Sequence, residues 1–528
     1  MLEEGIEMLD SQWLLTDEQI SQFIMKGYVV LHNELPDRLH AEVRDKINAV
    51  LHEEGNPGNN ILPRVPEIQQ FFETPVVKGA LTSVLGPDYY MHPHRHCHYN
   101  QPGDPLPGGG QWHKDGYWSS MRSHRPWWAM IFYYMQDISE DMGPTAIMPG
   151  TAYYDKFVGD QGETILPTGK AGTMVLVHFD LWHKASLNVS GLDRYMLKFQ
   201  FVRLRAPESP SWNHLGTEMH LTGGTPYVHL NLWRDVWNWM RGEPGQENLS
   251  ATGEEAAIEP LAEELKSEDE VIRAKAADQV GMLGEKAASL APELGRMLND
   301  KEPVALNAGY ALGRLGSAGT DELLRLMSEG TRQIAERAAY GLQSADAEAV
   351  PGLLALLEHT DEKRRALAAF ALGAIVPSTR EVAAALIACL QDPSDWVRRN
   401  AIEALGMMGR EPEAGEVCRA LANILEESIL QEGDGTAETR NNDITQQSYI
   451  LNKLGYTAAL SLLRTASPED VPIVIHSLEQ ALHSKDRYVR AYAFETLTHL
   501  RTPEAMDVLI RYYRPARWCP DTTKASTF

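Results

Sequence analysis

Gln111-Trp112-His113-Lys114-Asp115-Gly116 is the stretch that decides how the first half of this chain is read. A His and an Asp two residues apart point the same way at the end of a strand, because strand side chains alternate with period two. Farther on, the run from His183 through Asn188 and Ser190 to Arg194 supplies another imidazole and a fixed positive charge. Two imidazoles and one carboxylate on one face of a metal, with open positions opposite, are the ligand set of non-heme Fe(II) oxygenases. His183 follows the apolar run Thr173–Val177, so it comes from a different element, as a facial triad requires. His178 is a second candidate for the distal imidazole; its spacing to Asn188 and Arg194 is the less suitable of the two.

Around this pair the first half reads as short strands separated by Gly and Pro clusters: 89–99, 129–135, 173–177 and 196–204. That punctuation predicts a sandwich or barrel. Upstream, Leu15–Gly27 opens on a Thr N-cap and predicts a helix, Tyr28–His32 a strand and Asp37–Glu53 a second helix. His92, His94, His96 and His98 alternate along one strand and so share a face, suited to an anion or water and less to a second metal. Trp112, Tyr117, Trp118 and Trp128 could wall a substrate pocket. Ordinary packing accounts equally well for any one of them.

Composition shifts near residue 245: ten of the twelve tryptophans and fourteen of the eighteen histidines precede it. The Gly- and Glu-rich segment 241–255 reads as a linker. Beyond it the chain repeats itself. Val271-Ile-Arg-Ala-Lys-Ala-Ala-Asp-Gln-Val-Gly-Met-Leu-Gly284 returns as Pro303–Gly316, Arg364–Gly373, Trp396–Gly406 and Tyr488–Leu497, with a period of 30 to 33 residues. Each unit predicts two amphipathic helices that must stack on neighbours to hide their apolar stripes, with the recurring Gly near a helix end as a C-cap. The polar insertion 431–447 interrupts the array. Trp233, Trp237 and Trp239 are expected at the seam between the halves.

With 528 residues and a net charge of −25, the chain is long enough for two cores and poorly suited to phosphate backbones or anionic membranes. Four cysteines without a CxxC pattern, no basic-then-apolar leader and no spanning apolar run predict a cytoplasmic protein with no nucleic-acid or membrane partner.

The His113-x-Asp115 pair, the segment Met142-Gly-Pro-Thr-Ala-Ile-Met-Pro-Gly150, the H-x4-N-x-S-x3-R run from His183 to Arg194, and the opening helix followed by Gly27-Tyr-Val-Val resemble the phytanoyl-CoA dioxygenase family of Fe(II)/2-oxoglutarate oxygenases. The resemblance spans about residues 12–206. It implies a double-stranded β-helix (jelly roll) with flanking helices, iron held by His113, Asp115 and His183, and the distal carboxylate of 2-oxoglutarate gripped by Arg194. Asn100, Phe132 and Ser190 fall at co-substrate pocket positions, and Ala185 stands where many family members have Ser. The implied reaction couples O2 and 2-oxoglutarate, giving succinate and CO2, to hydroxylation of an unactivated C–H. Asp115 fills the place that related halogenases leave to chloride. The repeats resemble HEAT repeats over about residues 256–514, which implies an all-α solenoid.

The expected organisation is therefore an oxygenase domain at 1–240, the linker 241–255, a HEAT-repeat solenoid at 256–514 and a tail at 515–528. The expected substrate is a small or medium organic metabolite. The alternative is a protein or carrier-bound substrate recruited by the repeats, which could also serve a protein partner or self-association.

Overall fold

The structure, a computed structural model, describes residues 10–103, 109–159, 164–216, 218–221, 223, 225, 227–244, 258–345, 347–375, 379–410, 413–432 and 450–515. Most of the linker, almost all of the polar insertion, nearly the whole tail and Cys519 lie outside the described residues.

Among the described residues, seven strands carry the first half: β1 (Tyr28–His32), β2 (Tyr90–Asn100), β3 (Trp128–Tyr134), β4 (Ala146–Ile147), β5 (Thr173–His178), β6 (His183–Lys184) and β7 (Arg194–Val202). Five form one antiparallel sheet in the order β1-β5-β3-β7-β2, while β4 and β6 pair in a second, smaller sheet. From β3 to β7 the chain alternates between the two sheets strand by strand, which is the winding of a double-stranded β-helix. β3, β5 and β7 are buried along their whole length; β3 and most of β5 read as apolar runs, while β7 buries Arg194, Lys198 and Gln200 among apolar residues. A register shift between Met91 and Arg95, around Pro93, divides β2.

Helix Asp17–Lys26 begins at a capping box between Thr16 and Gln19 and stops at Gly27, whose φ is 81°. Its apolar face buries Ile20, Phe23 and Ile24.

The second half is helical. Helices beginning at Glu270, Glu302, Arg332, Glu362 and Asp395 recur at the period read from the repeats. Of the recurring glycines Gly281, Gly313, Gly373 and Gly406, only Gly313 is the expected C-cap. Gly281, Gly373 and Gly406 lie inside their helices, and a Cβ on them would stand 2.8 Å from Ala311 Cα, 2.6 Å from Ala404 Cβ and 2.4 Å from Ser461 Oγ. They mark where one helix touches the next, so the absent side chain sets the spacing.

Contacts divide the chain into two units. The first holds Met1–Tyr117, Met121–His359 and Ile375–Pro377, and therefore both sheets and the first helical repeats. Within it, helix Leu230–Met240 lies against those repeats: Asp278 accepts from the backbone of Leu230 and Asn231, and His229 Nδ1 is 2.5 Å from Asn307 Oδ1. Trp233, Trp237 and Trp239 are buried on this helix. The second unit holds Trp118–Ser120, Thr360–Ala374 and Ser378–Phe528.

Candidate metal centre

His113 and His183 face each other across an isolated antiparallel bridge, each backbone N–H donating to the other's carbonyl at 3.0 Å. The bridge places the two rings side by side, with centroids 4.5 Å apart. His183 itself opens β6, held opposite Ile147 of the smaller sheet. Asp115 reaches the same spot two residues after His113, as period-two alternation requires.

The orientation of both rings is fixed from behind. His113 Nδ1 is 2.8 Å from Gln111 O and His183 Nδ1 is 2.9 Å from Leu181 O. A carbonyl can only accept, so each Nδ1 carries its hydrogen and each Nε2 presents a lone pair. His183 Nε2 lies 3.6 Å from Asp115 Oδ1. Ligand atoms of His113, Asp115 and His183 all fall within 4.8 Å of one another, and no other group of three or more His, Cys, Asp or Glu does so among the described residues. Gly109, with φ of 92°, makes room: a Cβ there would stand 2.9 Å from His113 Cε1. Gly143 does the same for the following loop, since a Cβ would meet Ser186 O and Leu187 O at 2.6 Å.

Lys198 completes the cluster. Its Nζ is 2.5 Å from Asp115 Oδ2 and 3.4 Å from His183 Nε2. Burial pushes the Asp115 carboxyl up, but the Lys198 charge beside it outweighs that and holds the group well below the usual carboxylate range. Burial, reinforced by His183, lowers His113 and keeps it neutral, as a metal ligand must be. Lys198 went unnoticed in the sequence, yet Arg194, Met196 and Lys198 alternate on β7, and that spacing marks it. Arg122 was also missed. It donates to Asp115 O at 2.7 Å and pairs with Asp180, anchoring the backbone of the carboxylate that faces the metal position.

Arg194 starts β7 opposite Asn100 and is 2% exposed. Its Nε and Nη1 have no hydrogen-bond partner among the described residues. A buried guanidinium with open donors is costly unless an anion comes to it. Three converging ligand atoms and this unmatched cation fit iron and a dicarboxylate co-substrate.

The remaining site candidates fall in different places. Phe132, opposite Lys198, packs 5.7 Å from the His183 ring. Asn100 Nδ2 donates to Ser186 O, and Asn100 O accepts from Asn188. Ser190 bonds Asn188 and Leu192 within the turn leading to Arg194. Trp112 stacks near Phe157 and lies under Lys184. Tyr117 and Trp128 both pack edge-on against Phe179. Trp118 packs within the second unit, against Tyr456 and Tyr488, and its carbonyl accepts from Arg399 at 2.6 Å. His178 Nδ1 accepts from Asp180 N, outside the metal group. Of the β2 histidines, His94 and His96 approach to 3.0 Å between Nε2 atoms.

Residues 25–196 match the phytanoyl-CoA dioxygenase (PhyH) family profile, and residues 350–432 match HEAT repeats. No curated protein matches the chain. Among solved structures it is similar to the non-heme alpha ketoglutarate dependent carbocyclase SnoK from nogalamycin biosynthesis, at 17% identity and TM-score 0.31, over 36% of this chain and 85% of that one. AviO1 from Streptomyces viridochromogenes Tue57 matches at 16% identity and TM-score 0.31, over 38% and 99%. EctD from S. alaskensis, solved with 2-oxoglutarate and 5-hydroxyectoine, matches at 15% and 0.31, over 40% and 82%.

Proposed function

The chain carries a phytanoyl-CoA dioxygenase domain and HEAT repeats, and from that premise we propose that it is an Fe(II)/2-oxoglutarate-dependent dioxygenase that hydroxylates an unactivated C–H of a small or medium organic metabolite. The observation that carries this reading is the convergence of ligand atoms of His113, Asp115 and His183, together with a buried Arg194 whose donors are open. Iron and 2-oxoglutarate, when bound, supply the oxidising power, with O2 consumed and succinate and CO2 as co-products.

The chain's own residues do the rest. His113 and His183 hold their lone pairs toward the metal because Gln111 and Leu181 fix the opposite nitrogen. Arg122 keeps the Asp115 backbone in place. Arg194 orients the co-substrate by its far carboxylate, and Lys198 offers a second positive charge on the same face of β7. Phe132 and Met196 exclude water along that face, both being at most 1% exposed.

HEAT repeats suit protein interaction, and they favour a second reading in which the substrate is a protein or a carrier-bound molecule. The thiols of Cys97 and Cys418, neither in a disulfide, suit a reducing compartment such as the cytoplasm. Among the described residues no helix is long and apolar enough to cross a membrane.

Succinate release from 2-oxoglutarate under air, with Fe(II), tests the reading. The full chain should form succinate, and His113→Ala and Asp115→Ala should each abolish it. Unchanged turnover in either variant would remove the assignment. Screening metabolites for stimulated succinate release then separates the small-molecule reading from the macromolecular one.

A further inference from the structure

Within the first unit lies a cavity of about 70 Å3. It is lined by Lys114, Arg122 and Asp180 from the β-rich part and by Ala305, Leu306 and Gly309 of helix Glu302–Leu312. Lys114 stands between two ligand candidates in sequence, and strand-like alternation turns its side chain away from theirs.

Most of the charge around this cavity is matched internally. Arg337 pairs with Glu302 and donates to the carbonyls of Leu298 and Asp300. Glu336 pairs with Arg332. His124 and Tyr310 bond each other at 2.8 Å, and Tyr340 donates to Arg122 O. Asp155, at the rim, is exposed. Arg122 uses one arm on Asp180 and the other on Asp115 O.

Two groups of opposite sign, each within electrostatic reach of the other, keep hydrogen-bonding capacity unspent. Lys114 Nζ donates to Ala152 O at 3.0 Å, one bond for a group with three hydrogens. Asp180 is 2% exposed, and its Oδ2 has no hydrogen-bond partner among the described residues. A buried carboxylate oxygen without a donor and an ammonium with donors to give define a site for a molecule carrying both an acceptor and a donor. By volume the cavity takes a few water-sized groups, so its occupant is no larger than a small free amino acid. The Ala305, Leu306 and Gly309 wall offers the rest of such a molecule an apolar surface.

We infer that this cavity binds a small zwitterion of the α-amino-acid class, its carboxylate on Lys114, its ammonium on Asp180 Oδ2, and a short side chain against helix Glu302–Leu312. The site is separate from the metal group and does not depend on the oxygenase reading.

Thermal unfolding of the metal-free full chain tests it, with L-alanine and L-serine as probes and acetate and methylammonium as single-charge controls. At least one amino acid should raise Tm by about 2–4 °C at saturation, with neither control doing so. Lys114→Met should lose the shift. Asp180→Asn strips Arg122 of its partner and can misfold, so Gly309→Leu serves as the second variant. A Cβ at Gly309 meets nothing nearer than Arg337 O at 3.4 Å, and the longer side chain occupies the cavity wall. Absence of a shift with both amino acids, an equal shift with acetate, or a shift that survives in Lys114→Met or Gly309→Leu would overturn the assignment.

Discussion

Arg194 and Lys198 are two cations on one face of one strand with different surroundings. Arg194 is buried, and its Nε and Nη1 have no hydrogen-bond partner among the described residues, so its guanidinium can serve a ligand. Arg194→Ala should weaken 2-oxoglutarate binding by about tenfold to a hundredfold, the worth of one charge-assisted pair. Calorimetric titration of 2-oxoglutarate with Mn(II) in place of iron measures it, and normal affinity would end its assigned role. Lys198 instead rests on Asp115. An ammonium there repels a metal sharing the same carboxylate, so Lys198→Met should tighten Mn(II) binding to the metal-free chain by about tenfold. Looser binding would show that the lysine holds Asp115 in position. At this scale the His-x-Asp pair and the His183-to-Arg194 run were legible, because alternation and spacing are local. Arg122 was not, since its reach to Asp115 O and Asp180 follows from a loop path that no periodicity encodes.

Among the elements, long strands with apolar runs declared themselves to within a residue or two. β4 and β6 did not: two residues each cannot show a pattern, although β6 opens on His183. The recurring glycines were visible, but their purpose depended on which helix lies opposite. Helix Leu230–Met240 carries a consequence for acidity. His229, just before it, bonds Asn307 and Tyr154 on its two nitrogens and is 1% exposed. Burial lowers its pKa from 6.5 to about 4, against the Asn307 bond, which raises it. A base depressed in the folded state lends stability above its unfolded pKa and loses it as pH falls. Between pH 6.5 and 4 this residue should therefore cost about 3 kcal/mol of stability. Urea midpoints across that window should fall less steeply in His229→Gln than in the parent; parallel slopes would assign the acid sensitivity elsewhere.

For the whole molecule, the change in composition near residue 245 was plain in the sequence. Which helices accompany the sheets was not, because Asn231–Asp278 and His229–Asn307 join residues far apart in the chain. Those contacts fall inside the first unit, which runs on to His359. A chain ending at residue 257 leaves His229, Asn231 and the neighbouring tryptophans without their cover. It should give less soluble protein and a lower Tm than one ending at 359, as fractionation and scanning calorimetry would show. Equal behaviour would mean that the helices after 257 contribute nothing to the sheet-bearing part.

The paired backbone bonds between residues 113 and 183 are made by the chain's own amides and carbonyls. They close a long loop on their own, and each imidazole is clamped by a carbonyl of its own segment. Two imidazoles tied this way give up little rotamer freedom when a ligand reaches their Nε2 atoms, so the ordering cost falls on folding and not on binding.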